Sequence, residues 1–145
     1  MIAPADDLEV VRELLREYAE SLAVDLGFQG FDHEIATLAD YYELILVARV
    51  DDGVAGCIAL RRIDHETCEM KRLYIRPPFR RHNLGRALAE AIIDAARRRG
   101  YASMRLDTLP GMSSAMALYE SLGFRDIPPY RFNPVAGSRF LELAL

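Results

Sequence analysis

The chain has 145 residues, 51% hydrophobic and 28% charged, with a net charge of −4. That length suits one ordinary domain, 1–145, with a real core, and that composition excludes a disordered or low-complexity chain. No apolar run approaches the roughly 18 residues of a membrane span, and the acidic opening Met1–Glu9 is not a signal peptide, so a soluble cytoplasmic protein with no membrane partner is expected.

The charge is unevenly spread. Between Lys71 and Arg99, nine Lys/Arg stand against Glu90 and Asp94, a local +7 that leaves −11 for the rest. A basic local field in an acidic protein favours a small polyanion over long nucleic acid. Cys57 and Cys68 lack metal-ligand spacing, so no metal is expected, and they read as buried or semi-buried thiols of a reducing compartment, with a disulfide as the lesser alternative.

Asp6 or Asp7 can cap a first helix whose apolar stripe is Leu8, Val11, Leu14, Leu15, Tyr18 and Leu22. Gly27, Gln29 and Gly30 break it, and Asp32 is expected to cap a short second helix with Ile35 and Leu38. Glu43–Val50 and Val54–Arg62 are β-rich runs joined by Asp51-Asp52-Gly53, a hairpin signal. Gly56 inside the second run implies a bulge or a close contact. A turn at Asp64–Glu66 leads to a fourth strand, Cys68–Ile75. There alternation puts Glu69, Lys71, Leu73 and Ile75 on one face, with Met70, Arg72 and Tyr74 on the other. Arg76-Pro77-Pro78 stops it. From Leu84 the period is helical, and Leu84, Ala87, Leu88, Ala91, Ile92 and Ala95 form a stripe ending near Gly100. Ser103–Asp107 is a fifth strand, parallel to the fourth because a helix joins them. Ser113 or Ser114 caps a helix through Leu122, and Gly123 ends it. Phe124–Ile127 and Arg139–Leu145 are the last strands, separated by the stiff aromatic loop Pro128–Pro134.

Between the fourth strand and its helix lies Arg80-Arg81-His82-Asn83-Leu84-Gly85, a basic turn ending in glycine. A helix start presents unpaired N–H groups and the positive end of a dipole, an anion site. Gly85 lets backbone approach a ligand, and Arg80, Arg81 and Arg86 add charge. The chemistry that fits is pyrophosphate binding. A Rossmann or P-loop unit is excluded, because GxGxxG and Gly-Lys-Ser/Thr are both missing and the first half is antiparallel.

The turn resembles the acetyl-CoA loop of the GCN5-related N-acetyltransferases (GNAT), Arg/Gln-x-x-Gly-x-Gly/Ala, with Asn83 at the middle glycine. Asn tolerates a left-handed backbone better than most residues. Ala117–Phe124 resembles the family's second signature, Ala-x-x-Leu-Tyr-x-x-x-Gly-Phe. The resemblance implies an α/β fold with an antiparallel N-terminal meander and helices on both faces. Its parallel central strand pair is splayed to hold acetyl-CoA, and the first strand is very short or absent. It implies acetyl transfer to the primary amine of a small molecule by direct attack in a ternary complex. A non-catalytic acyl-CoA-binding or regulatory domain of the same fold is the alternative.

For the cofactor, the resemblance implies contacts from Leu73, Tyr74, Ile75, Arg80, Arg81, His82, Asn83, Leu84, Gly85, Arg86, Ser114 and Leu118, with a backbone N–H near Leu73 facing the thioester oxygen. It makes Glu69 the general base and sets Tyr119 beside the sulfur; His33 and Asp107 are fallback bases by residue type, with a surface or capping role as the alternative. A salt bridge from Glu69 to Arg62, Lys71 or Arg105 is the plain alternative, as core packing is for Tyr119. Tyr18, Phe28, Phe31, His33 and Tyr41 are acceptor-pocket candidates, since the first two helices wall that pocket in the family. Tyr130 and Phe132 are expected to close it beside Glu69, with Arg62 or Arg131 available for an anionic group on the acceptor. The aromatic loop could equally pack against a dimer partner, which leaves a homodimer open.

Overall fold

In the computed structural model, residues 1–22, 26 and 30–145 are described, with Arg81 described by its backbone alone. The expectations that rest on Gly27, Phe28 and Gln29 lie outside them. The elements run β1 (Ile2–Pro4), α1 (Leu8–Ser21), α2 (Phe31–Ala36), α3 (Leu38–Tyr41), β2 (Leu44–Val50), β3 (Gly53–Arg62) and β4 (Thr67–Ile75). A 3₁₀ helix (Pro77–His82) follows, then α4 (Leu84–Arg98), β5 (Ser103–Thr108), α5 (Ser113–Ser121), β6 (Arg125–Asp126) and β7 (Arg139–Ala144). Among the described residues these strands make a seven-stranded sheet in the order β1-β2-β3-β4-β5-β7-β6. Only β4 and β5 pair in parallel there. Among the described residues, no helix is long and apolar enough to cross a membrane.

The first strand is three residues long, as expected. Asp7 caps α1 by accepting from the Glu9 N–H, and the stripe buries Val11, Leu14 and Leu15 completely. Each such side chain contributes about 1.5–3 kcal/mol over leaving it in water. Two caps differ from expectation. Gly30, with φ 71°, precedes α2, so Asp32 lies inside its first turn and α3 follows as a separate turn. Met112, without a side-chain bond, precedes α5, so Ser113 is already helical.

The sheet has two apolar faces. On one, Leu46, Ile58, Leu60, Cys68 and Met70 pack under α4, with Met104, Leu106, Leu141 and the α5 residue Tyr119. On the other, Ile45, Val47, Cys57, Ala59 and Tyr74 pack under Val11, Leu14 and Leu15 of α1 and Leu38 of α3. Gly56 is required by close approach, since a Cβ there would lie 2.3 Å from the Tyr74 carbonyl oxygen. Cys57 and Cys68 are free and buried, and burial pushes both thiols up to about 12.

Candidate active site

The site begins with two faults in β4. Its register against β3 passes from Cys57↔Tyr74 to Ala59↔Lys71, so Arg72 and Leu73 together oppose Ile58, a bulge. Arg72 has φ 61°, a conformation an arginine adopts only when its surroundings hold it there. The second fault is a split. β4 and β5 pair over Thr67↔Ser103, Cys68↔Met104 and Glu69↔Arg105, and no ladder partner joins them beyond that point. From Met70 onward the two strands part, and the edges of the gap are β4 backbone and the Leu106–Leu109 stretch.

The bulge also corrects the expected faces. Leu73 and Ile75 pack with Met70 against the α4 core, whereas Arg72 and Tyr74 join Glu69 and Lys71 on the α1 side. One extra residue in a strand reverses every side chain after it.

Two spaces that share Tyr18, Leu73 and Met112 in their walls follow. A cavity of about 40 Å³ lies in the gap, lined by Tyr18, Lys71, Leu73, Asp107, Met112 and Tyr119 among others. A cleft of about 470 Å³ continues past Tyr18, Leu73, Tyr74 and Ile75 to Arg80, Asn83, Gly85, Arg86, Ser114 and Leu118. Asn83 is left-handed (φ 54°) and no side chain caps α4, so its first-turn N–H groups lack a capping side chain. A Cβ on Gly85 would meet only Leu118 Cδ2, at 3.8 Å, so the fold itself has room for a side chain there.

The basic tract is less free than its count implies. The Arg72 guanidinium donates twice to Glu34, and Arg76 pairs with Glu13 and Glu17. Arg98 pairs with Asp94, Arg99 with Glu43 and Arg86 with Glu90. Arg80 donates to the Ile75 carbonyl at 2.9 Å and borders the cleft. His82 is exposed beside Phe79 and does not line the cleft. Leu84 packs on the α4 core.

Glu69 is fully buried. Its Oε2 accepts from the Tyr130 hydroxyl at 2.7 Å and from Arg131, so the aromatic loop does reach over the sheet. Of the three partners expected for Glu69, none bonds to it. Lys71 stands free of it, Arg105 pairs with Glu142, and Arg62 is exposed and lies across from Cys68 in the ladder. Arg61 is the residue opposite Glu69, with its guanidinium 4.4 Å from the Tyr41 ring. Phe132 is 76% exposed and closes nothing. His33 is exposed and borders a separate surface hollow with Tyr41, Arg61 and Arg62.

The residues missed by sequence reasoning are Glu34, Arg72 and Lys71. Glu34 and Arg72 are buried, the Tyr42 hydroxyl also donates to Glu34, and the Tyr18 and Phe31 rings lie 5.7 and 5.3 Å from the Arg72 guanidinium. Burial works against the Glu34 charge, yet the bonds from Arg72 and Tyr42 hold its carboxyl below the usual range. Burial and the neighbouring Arg72 charge push Lys71 down to about 8, against the pull of Glu69 and Glu34. Tyr119 is buried, edge-on to Phe124 at 5.9 Å, and burial raises its hydroxyl well above the ordinary value.

Comparison with known proteins shows the family and the fold. Residues 8–124 match the family model described as the acetyltransferase (GNAT) family. An uncharacterised N-acetyltransferase of Schizosaccharomyces pombe is 39% identical over 145 residues, covering 96% of this chain and 89% of that protein. An acetyltransferase structure from Streptococcus agalactiae superposes with a TM-score of 0.82 at 25% identity, over 100% of this chain and 98% of that one. The yncA structure from Salmonella typhimurium, solved with its cofactor acetyl-CoA, gives 0.71 at 24% identity, over 99% and 92%.

Proposed function

The chain belongs to the GNAT acetyltransferase family, and from that premise we propose that it moves the acetyl group of acetyl-CoA to the primary amine of a small molecule, by direct attack in a ternary complex. Residues 1–145 act as one domain in this reading. The observation that carries it is the parting of β4 and β5 beyond Glu69, beside the bulge, which opens a gap from the α4 N-terminus to Lys71 and Asp107, two residues along β4 from Glu69. The pyrophosphate is held by the uncapped first-turn N–H groups around Gly85 with Arg80 beside them. The pantetheine arm runs along the free β4 edge at Leu73–Ile75 between Ser114 and Leu118, and the thioester oxygen accepts from backbone at the bulge.

Glu69 is the base. Tyr130 and Arg131 anchor one carboxylate oxygen and leave Oε1 unpartnered for the incoming amine. The acceptor nitrogen bonds to the acetyl carbon, its proton passes to Glu69, the carbon–sulfur bond breaks and thiolate leaves. Tyr119, kept protonated by burial, offers that sulfur a hydrogen bond. Tyr18 and Phe31, held around Arg72, wall the acceptor side.

The test is thiol release from acetyl-CoA across a panel of small amines. Glu69→Gln should lower kcat by roughly 10²–10⁴ while CoA still binds. Normal turnover by that variant on a good acceptor would remove Glu69 from the chemistry.

A further inference from the structure

Among the described residues, four buried side-chain polar atoms have no hydrogen-bond partner, and three are Glu69 Oε1, Lys71 Nζ and Arg131 Nε. These three belong to one cluster. Glu69 and Lys71 stand two apart on the α1 side of β4, and Arg131 is bonded to Glu69. A buried polar atom without a partner is expensive, and a buried charge more so, so a cluster of them points to a group that completes it. The missing complement can be read from the donors and acceptors. Oε1 is an acceptor and wants an N–H, while Nζ and Nε are donors and want oxygen.

The charges agree. Arg72 is taken up by Glu34 and Arg131 by Glu69 Oε2. Lys71 is 5% exposed and makes no ion pair; Asp107 borders the same small cavity without pairing with it. A polyamine would bring a second cation beside Lys71 and Arg131, and a plain alkylamine would leave Lys71 unpaired. An amine that also carries a carboxylate satisfies all three orphaned atoms.

We propose that the acceptor is a small amino acid, its carboxylate held by Lys71 Nζ and Arg131 Nε and its amine directed at Glu69 Oε1. The proposal rests on the amine-acetylation reading above and deepens it. Lys71 and Arg131 are then the residues that set specificity.

The experiment uses the full chain with acetyl-CoA. Amino acids, including β-alanine and 4-aminobutyrate, are each compared with their own carboxamide, by thiol release and by calorimetric titration into the CoA-bound protein. The acid should exceed its amide by about 10- to 100-fold in kcat/KM, the range for a hydrogen bond to a charged group. Lys71→Met, close in volume, should bring that ratio near one through the acceptor KM, with the KM for acetyl-CoA unmoved and the melt no lower than wild type. Amides acetylated as readily as acids, or an unchanged ratio in Lys71→Met, overturn the carboxylate site while amine acetylation stands. Amino acids that bind through Lys71 without thiol release overturn amine acetylation and uphold the carboxylate site. Neither binding nor release by any acid overturns the carboxylate site, and where no amide or other small amine gives release either, both are overturned.

Discussion

Replacing Lys71 by methionine should make the fold more stable at neutral pH. The wild-type ammonium is buried without a partner, and its pKa is pushed from 10.5 to about 8. Each unit is worth about 1.36 kcal/mol, so holding the charge inside costs about 3 kcal/mol relative to a neutral side chain. The sign follows from the protons. Between about 8 and 10.5 the unfolded chain binds more protons than the folded one, so raising the pH through that window favours folding. Below 8 both states are protonated and the full penalty is present. Thermal melts of wild type and Lys71→Met should therefore differ by roughly 5–10 °C at pH 7, the variant higher, on the scale expected for a chain of this size. The gap should shrink steadily from pH 8 to 10.5. Taking the difference cancels the tyrosines and the two cysteines, which titrate in both proteins. A gap that stays constant with pH, or a variant that melts lower at pH 7, would refute the burial of a charged, unpaired amine.

Breaking the other buried charge should act in the opposite sense. Glu34→Ala leaves Arg72 without its bidentate partner, and chemical denaturation should register a loss of about 3–5 kcal/mol; under 1 kcal/mol would mean that the pair is solvated. At Gly85 stability and binding should separate. Alanine fits the 3.8 Å space and should strengthen the helix by about 0.5–1 kcal/mol, while Gly85→Val weakens CoA binding far more than Arg98→Ala does, and calorimetry showing equal effects would move the pyrophosphate elsewhere. Tyr119→Phe keeps the ring against Phe124, so the melt should hold while kcat falls less than for Glu69→Gln; a lowered melt with normal kcat would return Tyr119 to the core.

What the sequence determined by itself is the part governed by local rules. The stripe of α1 and its Asp7 cap, the Asp51–Gly53 hairpin, the strand–turn–helix at Asn83 and the parallel β5 all follow from periodicity, backbone preference and the geometry of a crossover. Gly56 announced a close approach, and it is one. The proline-stiffened loop was expected over the sheet beside Glu69, with packing on a dimer partner an equal reading, and of its two aromatics Tyr130 donates to Glu69 while Phe132 is exposed. The tertiary structure alone decided the rest. The bulge at Arg72 adds one residue against Ile58 and leaves no mark in composition, yet it swings Arg72 onto the α1 side, where α2 supplies Glu34 from 38 residues away. Alternation read through that point assigned the wrong faces from Arg72 onward. The same holds for charge. Counting showed a basic tract, but only packing reveals that Arg72, Arg76 and Arg99 are neutralised by distant acids while Lys71 is not, because an ion pair depends on separation in space and the chain lists only separation along itself.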